Sequence, residues 1–296
     1  MFENINFNKP WKKILEIHEG WSKDKKYYIV GKDDSKYLLR IADASLFEKK
    51  KKQIDFLSKI KSLNINAQEA LAFGWLNENS VYLLFTWVEG EKARKVIPKL
   101  SKEKQYKLGV DAGIILKKIH SIPIDTKGMS WWNQYQKKVA NKFEMLNRCE
   151  IELPNKDIII KYVFDNMHIV KDREIKIQHG DYHVGNMVVD KGKLGIIDFD
   201  KVDLADPYDD FKPFSWNVII SPLFATGLID GYFDFHIPND FFPILALYAA
   251  ESVMGHLPWA TRFGDEEIKT AIKISNLIFK WFDGFNKVVP SWYKRP

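Results

Sequence analysis

The sequence has little of what secreted or membrane-embedded proteins depend on. A single cysteine, Cys149, among 296 residues excludes an internal disulfide framework and fits a reducing compartment. The first residues, MFENINFNKPWKK, contain no apolar core, so we expect no signal peptide. The longest apolar stretch, residues 241–250, is interrupted by Pro243 and is far too short to span a bilayer. These absences favour a cytoplasmic protein without a membrane segment.

Recognised nucleic-acid motifs are missing as well. Lys and Arg number 45 against 39 Asp and Glu, a formal net charge of +6, and such an excess can attract nucleic acid or phosphates. Zinc-finger spacings, RNA-recognition aromatic motifs and basic heptad regions do not occur. The densest basic run, residues 49–52 (KKKK), has helical surroundings, so we interpret it as a solvated helix face. We therefore expect no nucleic-acid partner.

The chain also lacks the glycine-rich loops of P-loop and dinucleotide-binding proteins. Its first 90 residues instead alternate short apolar runs with turn residues. Residues 26–30 and 36–41 flank GKDDS and predict a β-hairpin, and residues 70–75 and 81–88 flank NENS and predict a second. Between them, residues 47–63 have apolar positions at helical spacing. This order predicts a small sheet with one helix.

After Glu89-Gly90 the pattern becomes mostly helical. Residues 106–120 carry an apolar face and end at Ser121-Ile122-Pro123, residues 157–170 predict a further helix, and aromatic helical segments follow Phe211. We therefore predict an α+β fold. A small antiparallel-sheet region with one helix occupies residues 1–88, and a larger, mostly helical region occupies residues 89–296.

The chemistry is concentrated in residues 178–200, QHGDYHVGNMVVDKGKLGIIDFD. Two apolar runs around Lys191-Gly192 predict a β-hairpin, since glycine supplies the positive φ of a tight turn. A two-residue turn places Asn186 opposite Ile197, and a three-residue loop places it opposite Asp198. In both registers an amide oxygen and a carboxylate emerge at one end of the hairpin, where they could share a hard cation such as Mg²⁺.

Asp181 lies five residues before Asn186, on the loop that leads into this hairpin. It can approach a cation-bound phosphate without being a metal ligand, which suits a base or orienting group for an incoming hydroxyl. The order of Asp, Asn, hairpin and Asp matches the catalytic loop and metal-binding segment of kinases. Two other interpretations stay open at this stage: Asp and Asn that only form turns, and a metallohydrolase with His and Asp ligands.

HGDYHVGN (179–186) and IIDFD (196–200) resemble the catalytic loop and the metal-binding strand end of the aminoglycoside phosphotransferase family. That resemblance implies a bilobal, protein-kinase-like fold. It also implies transfer of the γ-phosphoryl group of a nucleoside triphosphate to a hydroxyl group of a small molecule. By the same resemblance Asp181 is the catalytic base, and Asn186 and Asp198 hold Mg²⁺.

The resemblance further implies a nucleotide site in the first region. Ser22, in the turn GWSK, would contact phosphate, and Arg40 stands where such kinases have a strand lysine. A kinase pairs that cation with a helix carboxylate. The candidate partners are Glu48, Asp55 and Gln53, of which Gln53 is uncharged and could not form the ion pair.

Other positions complete the predicted site. The Thr86 carbonyl and the Val88 amide would meet the base of ATP or GTP, between which the sequence does not decide. His183 would contact the γ-phosphate or support the loop, and Asp200 is a further candidate for the site. A protein kinase is a weaker interpretation, because no A-P-E segment follows IDFD.

The acceptor is the least specified part. Six aspartates lie between residues 198 and 210, and some of them could attract a cationic acceptor or a second metal ion. Others, within DPYDD, would cap a following helix or brace the catalytic loop, and we expect such a structural role for Asp209 or Asp210. Later aromatic and acidic residues would suit a cationic, ring-containing acceptor, although a helical core would use the same residues: Trp216, Phe224, Asp230, Tyr232, Asp234, Glu251 and Trp259. We therefore predict a kinase of an aminoglycoside-like antibiotic or related compound. The alternatives are a kinase of a non-antibiotic metabolite and a nucleotide-binding pseudokinase or regulatory protein.

Overall fold

The computed structural model describes residues 4–7, 10–19 and 22–296. Its strands are β1 (Trp11–Ile17), β2 (Lys25–Gly31), β3 (Lys36–Asp43), β4 (Ala70–Asn77), β5 (Ser80–Thr86), β6 (Glu91–Lys92), β7 (Lys176–Gln178), β8 (Met187–Asp190), β9 (Lys193–Ile196) and β10 (Asp203–Ala205). Its α-helices are α1 (Phe47–Ile60), α2 (Ala93–Val96), α3 (Lys102–His120), α4 (Trp131–Asn147), α5 (Lys156–Asn166), α6 (Phe214–Ile220), α7 (Pro222–Tyr232), α8 (Phe241–Ala260) and α9 (Asp265–Trp281). The predicted α+β class is confirmed.

The chain forms two compact units, and the first comprises Met1–Ala93 and Asn186–Val202. Its sheet has the order β1-β2-β3-β5-β4, with antiparallel neighbours throughout. Both predicted hairpins are present. The sequence did not predict β1, because five of its seven residues are exposed and their polarity does not alternate.

One face of this sheet packs into an apolar core. Alternate residues of β2 are buried, as expected for a strand with one covered face, whereas β3 buries both Leu39 and its neighbour Arg40. The core side chains come from all but one strand of the sheet and from the N-terminal segment: Ile5, Tyr27, Ile29, Tyr37, Leu39, Leu76, Tyr82 and Leu84. Helix α1 buries Phe56, Leu57 and Ile60, but also the polar side chains of Lys50 and Gln53.

The hairpin of β8 and β9 belongs to the first unit. Asp190 pairs with Lys193, so the turn has two residues, Lys191 and Gly192, with φ of 48° and 78°. Positive φ at both positions is typical of a type I′ turn, whose twist matches the twist of the two flanking strands. The division into functional lobes at residues 88 and 89 stays a prediction, although this hairpin groups with the N-terminal sheet.

The second unit comprises Arg94–Gly185 and Asp203–Pro296. Short strands β7 and β10 pair antiparallel, and the other regular elements of this unit in the described chain are helical. Helix α8 buries most of its residues and forms the apolar centre of the unit. Among the described residues, no helix combines the length and apolar character that crossing a membrane requires.

Helices α3 and α7 pack unusually closely through glycines on both sides. A Cβ atom added at Gly113 would lie 2.1 Å from the Leu228 carbonyl oxygen, and one at Gly227 would lie 2.2 Å from that of Tyr106. Gly109 and Gly231 make equivalent approaches, at 2.1 and 2.2 Å. The four-residue spacing places two glycines on one face of each helix. This packing fixes α3, which in turn anchors the loop that carries Asp181.

Candidate functional site

The loop that carries Asp181 begins directly after β7 and is held by one buried carboxylate. Asp210, 1% exposed, accepts hydrogen bonds of 2.7 Å from the backbone N–H groups of both His179 and Gly180. Its Oδ2 atom also lies 3.1 Å from His120 Nε2. Gly180 has φ of 79°, a conformation that side chains other than glycine rarely adopt. Asp210 therefore fixes the backbone immediately before Asp181.

Two further contacts fix the loop beyond Asp181. The hydroxyl group of the buried Tyr182 donates to the Ala112 carbonyl oxygen of α3 at 2.7 Å. The N–H of Val184 donates to the side-chain oxygen of Asn217, on α6, at 2.9 Å. The side chain of Asp181 is 26% exposed. The backbone is thus rigidly attached on both sides while the carboxylate stays accessible.

His183 lies beside Asp181. Its Nε2 atom is 3.5 Å from Asp181 Oδ1, and its Nδ1 atom accepts the N–H of Gly185 at 3.0 Å. Because Nδ1 is an acceptor, the neutral ring carries its proton on Nε2, the atom that faces the carboxylate. His183 can therefore orient the Asp181 side chain. The sequence favoured a phosphate contact or a supporting role, and this geometry favours support.

Asn186 and Asp198 lie together at one end of the β8–β9 hairpin, in the first unit. The N–H of Ile197 donates to the Asn186 carbonyl oxygen at 3.0 Å, which confirms the register predicted for a two-residue turn. Asp198 has φ of 64°, donates its N–H to Gln68 Oε1 at 2.8 Å, and has a side chain that is 41% exposed. One accessible carboxylate beside one amide fits Mg²⁺, which commonly takes few protein ligands and keeps waters and phosphate oxygens.

No group of three or more His, Cys, Asp or Glu suited to a metal ion occurs in the part of the chain that the structure describes. The metallohydrolase interpretation would need such a group, because its metal is held by several side chains. A site that Mg²⁺ shares with a nucleotide needs fewer protein ligands, because waters and phosphate oxygens supply the rest.

Arg40 is the centre of a nearly buried charge cluster in the first unit. Its guanidinium lies 2.8 Å from Asp24, 2.9 Å from Asp198 and 3.2 Å from Asp200, while its side chain is 4% exposed. Ser22 joins the cluster, since its hydroxyl oxygen accepts from Arg40 at 3.1 Å. The structure thus brings together four predicted site residues: Ser22, Arg40, Asp198 and Asp200. Gly20 and Trp21 of the predicted phosphate loop lie outside the described residues.

Lys50 is the cluster member that the sequence did not predict. Its ammonium group lies 2.7 Å from Asp24 and 2.5 Å from Asp200, and its side chain is 2% exposed. The interpretation of residues 49–52 as a solvated face is therefore wrong for Lys50, although Lys49, Lys51 and Lys52 are exposed. The sequence contained a signal for this burial. Lys50 precedes the apolar Leu57 by seven residues, or two helical turns, so both side chains lie on the same face of α1.

Asp24 is the carboxylate that pairs with Arg40, where the sequence analysis predicted a partner on the helix. It directly precedes β2 and lies within ion-pair distance of both Arg40 and Lys50. Glu48 is exposed and Gln53 is buried, and the ion pairs found for Arg40 in the described chain involve neither. Helix α1 thus contributes a second cation where a carboxylate was expected.

The charges of this cluster act strongly on Asp200. Burial alone would raise the pKa of Asp200, but Arg40 and Lys50 lower it below the usual value. Asp200 is therefore ionised together with its two cationic partners at neutral pH. Paired charges of this kind are stable in a nearly buried position only as a complete set.

Thr86 and Val88 were predicted to meet the nucleotide base. Thr86 ends β5, and its side-chain oxygen accepts the N–H of Glu69 at 2.9 Å. Val88 lies two residues beyond, with its side chain buried. Their role in base recognition stays a prediction.

The aspartates of residues 198–210 are mostly engaged inside the protein. Arg173 binds Asp206 through two nitrogens, at 2.9 and 3.1 Å, and Lys138 lies 2.7 Å from Asp209. With Asp198, Asp200 and Asp210 accounted for above, Asp203 is the exposed member of the set. The predicted acidic patch therefore offers little free negative charge to an acceptor.

The comparisons with known proteins agree with this geometry. The sequence model of the phosphotransferase enzyme family (APH) matches residues 13–240. A thermostable mutant of the aminoglycoside phosphotransferase APH(4)-Ia has 15% identity and a TM-score of 0.67, with 90% of this chain and 94% of that chain covered. The amicoumacin kinase hAmiN, in complex with AMP-PNP, Ca²⁺ and Ami, has 11% identity and a TM-score of 0.68, covering 95% and 92%.

A third structure is the GDP complex of aminoglycoside 2'-phosphotransferase-IIIa, with 12% identity, a TM-score of 0.71, and 92% and 93% of the two chains covered. At such identities these likenesses establish the fold alone. No curated protein matches the chain by sequence. The family match extends over more than half of the chain and includes both specific motifs. The chain therefore belongs to the phosphotransferase enzyme family of small-molecule kinases, as the resemblance of HGDYHVGN and IIDFD predicts.

Proposed function

We propose that the protein transfers the γ-phosphoryl group of a nucleoside triphosphate, with Mg²⁺, to a hydroxyl group of a small molecule. The observation that carries this proposal is the loop around Asp181. Asp210 and Tyr182 hold the backbone on either side, and the carboxylate of Asp181 stays accessible beside His183. A structural turn former would not need such fixation around an accessible acid.

In the proposed reaction the acceptor oxygen attacks the γ-phosphorus, and the bond between that phosphorus and the β–γ bridging oxygen breaks. The nucleoside diphosphate leaves, and Asp181 accepts the proton of the acceptor hydroxyl. His183, whose Nε2 atom lies 3.5 Å from Asp181 Oδ1, would help to orient the Asp181 carboxylate. Positioning of the hydroxyl group supplies much of the rate enhancement, since little covalent chemistry falls to the protein.

Asn186 and Asp198 would hold the metal ion, which when bound neutralises phosphate charge. Arg40 and Lys50 would supply further positive charge from within their cluster with Asp24 and Asp200. Ser22 would add a hydroxyl donor, and the Thr86 carbonyl and Val88 amide would contact the base. Solved relatives hold an ATP analogue in one case and GDP in another. ATP and GTP are therefore both to be tested.

The family resemblance offers two acceptor classes for this function, an aminoglycoside-like antibiotic and a non-antibiotic metabolite. A screen of hydroxyl-bearing compounds for phosphate transfer from ATP and GTP tests the function, with Asp181→Asn as the inactive control. A pseudokinase would bind nucleotide and show no turnover with any compound. Equal transfer by the wild-type protein and Asp181→Asn would contradict the proposed function.

A further inference from the structure

A row of partly exposed rings leads away from the catalytic loop within the second unit. We propose that this aromatic row, Trp216, His256, Trp259 and Phe263, binds the ring of the acceptor, and that the acceptor is a hydroxylated ring compound without net positive charge. The inference rests on the proposed kinase function and specifies its substrate class. It replaces the cationic acceptor that the acidic residues of the sequence suggested.

The row begins at the catalytic loop. The ring centroid of His183 lies 6.3 Å from that of Trp216, and Trp216 lies 6.4 Å from His256. His256 continues to Trp259 at 5.8 Å, and Trp259 continues to Phe263 at 4.6 Å. Since His183 lies 3.5 Å from Asp181, a ring stacked on Trp216 would carry its hydroxyl group near the proposed base.

The side chains of the aromatic row are more exposed to solvent than aromatic side chains of the core. Trp216 is 38% exposed and Phe263 is 42% exposed, and His256 and Trp259 are half-buried. Ile219, one turn after Trp216 on α6, is 43% exposed and widens the apolar surface. Aromatic faces bind sugar rings and aromatic rings well, because large apolar contact forms at low entropic cost.

The charge beside this row is positive. Lys138, Lys142 and Lys212 surround only two carboxylates, Asp209 and Glu251, so the cluster carries one surplus positive charge when all five groups are ionised. Lys142 lies beside the aromatic row, because a Cβ atom added at Gly255, the neighbour of His256, would lie 2.8 Å from the Lys142 side chain. Burial first, and then Lys142, lowers the pKa of His256. A cationic ring stacked beside His256 would be repelled, whereas an anionic or neutral ring would not.

Of the three later acids that the sequence offered for a cationic acceptor, Asp230 and Glu251 point inward, and the exposed Asp234 pairs with Lys117. Asp230 is fully buried and binds Tyr106, Tyr293 and Arg295, and Glu251 is fully buried between Lys142 and Lys212. The acids in the first turn of α9, Asp265, Glu266 and Glu267, follow Phe263 in the chain, and Glu266 pairs with Lys269. Near the start of the row, Asp181 itself is the accessible carboxylate, and the proposed reaction assigns it to the acceptor hydroxyl.

Three ring compounds with hydroxyl groups test the charge preference. Phenyl β-D-glucuronide is anionic, phenyl β-D-glucopyranoside is neutral and kanamycin is polycationic. Their affinities are measured by calorimetric titration of the full chain saturated with AMP-PNP and Mg²⁺. We expect the two aryl glycosides to bind more tightly than kanamycin, with the glucuronide weakened by added salt because its charge pairing is screened.

Variants test the row itself. Trp216→Ala should weaken both aryl glycosides about tenfold, and Trp216→Phe should restore most of the affinity. The control Trp75→Ala removes a tryptophan of the first unit that is 52% exposed, and it should change the affinity for neither aryl glycoside. Tighter binding of kanamycin, no detectable binding of either aryl glycoside, or equal affinity in Trp216→Ala would overturn the proposed acceptor class. Because nucleotide affinity is titrated separately, loss of AMP-PNP binding would instead contradict the kinase function.

Discussion

The guanidinium of Arg40 lies 2.8 Å from the carboxylate of Asp24, with both side chains no more than 5% exposed. The same carboxylate lies 2.7 Å from Lys50. Asp24 therefore compensates two nearly buried cations at once, one from strand β3 and one from helix α1. Removing a partner from such a set leaves charge in a poorly solvated position, which costs far more than the complete set contributes.

Asp24→Ala should accordingly destabilise the protein strongly. We expect the free energy of unfolding to fall by about 3–5 kcal/mol, as for other buried pairs that lose one partner. Urea denaturation measures this change. The control Asp165→Ala removes the exposed partner of Lys161 and should change stability little, because surface pairs contribute little. Similar stability of the two variants would contradict the role of Asp24.

Arg40 and Lys50 should both contribute to nucleotide affinity. A lost charge-assisted contact costs about 1.5–3 kcal/mol, or roughly tenfold or more in affinity. We expect Arg40→Met and Lys50→Met each to weaken nucleotide binding to this extent, and Arg40→Lys to weaken it less. Lys52→Met is the matched control, since Lys52 is exposed on the same helix. An unchanged nucleotide titration in folded Arg40→Met would show that the strand cation is misplaced.

The brace formed by Asp210 should matter for turnover. Asp210→Asn keeps the shape but can accept only one of the two hydrogen bonds from His179 and Gly180, so a buried N–H group loses its partner. We expect about 1–3 kcal/mol of destabilisation and slower turnover at unchanged nucleotide affinity. Asp203→Asn, at an exposed position, should alter neither. Turnover like that of the wild-type protein in Asp210→Asn would rule out this brace as a requirement for catalysis.

The surplus lysine predicts a specific dependence of stability on pH. Burial lowers the pKa of Lys212 from 10.5 to about 8, although Asp209 and Glu251 oppose the shift. Between about pH 8 and pH 10.5, Lys212 is mostly deprotonated in the folded protein and mostly protonated in the unfolded chain. Because the unfolded state then binds more protons than the folded state, the contribution of Lys212 to the free energy of unfolding rises with pH. Relative to Lys212→Met, the wild-type protein should gain about 2 kcal/mol between about pH 8 and pH 9.5.

Comparing the two proteins removes the effect of the tyrosines, whose pKa values are also perturbed. Lys269→Met, which removes an exposed partner of Glu266, should behave as the wild-type protein does. A constant difference between wild type and Lys212→Met across this pH range would contradict the lowered pKa of Lys212.

Local patterns predicted much of the fold because the forces that produce them are local. Alternating apolar residues identified four strands of the first sheet, and Lys191-Gly192 identified the hairpin that carries Asn186. Strand β1 escaped prediction because its exposed residues obtain their order from pairing with β2. The glycines of α3 and α7 are intelligible only once the two helices lie against each other.

The candidate site was partly predictable for a similar reason. Asp181, Asn186 and Asp198 lie in one short stretch with a recognisable spacing. The pairing of Arg40 with Asp24 and Asp198 joins residues that are 16 and 158 positions apart, and no local pattern encodes such distances. The burial of Lys50 was not predicted, because it lies in a run with three exposed lysines. The sequence predicted a structural role for Asp209 or Asp210. No local pattern identified the partners of Asp206 and Asp209, because Arg173 and Lys138 come from distant parts of the chain.

The central claim is that Asp181 serves the acceptor hydroxyl while Asp198 serves the metal and nucleotide. The measurement is calorimetric nucleotide titration with and without Mg²⁺, compared with turnover, for Asp181→Asn and Asp198→Ala. Asp181→Asn should keep nucleotide affinity within a few-fold while turnover falls by roughly 10²–10⁴. Asp198→Ala should remove the tightening of nucleotide binding by Mg²⁺ together with turnover, and Asn186→Ala should do so more mildly.

The opposite pattern would reverse the two roles: loss of Mg²⁺–nucleotide binding in Asp181→Asn with normal binding in Asp198→Ala. Turnover that neither substitution changes would contradict the account of HGDYHVGN as a catalytic loop.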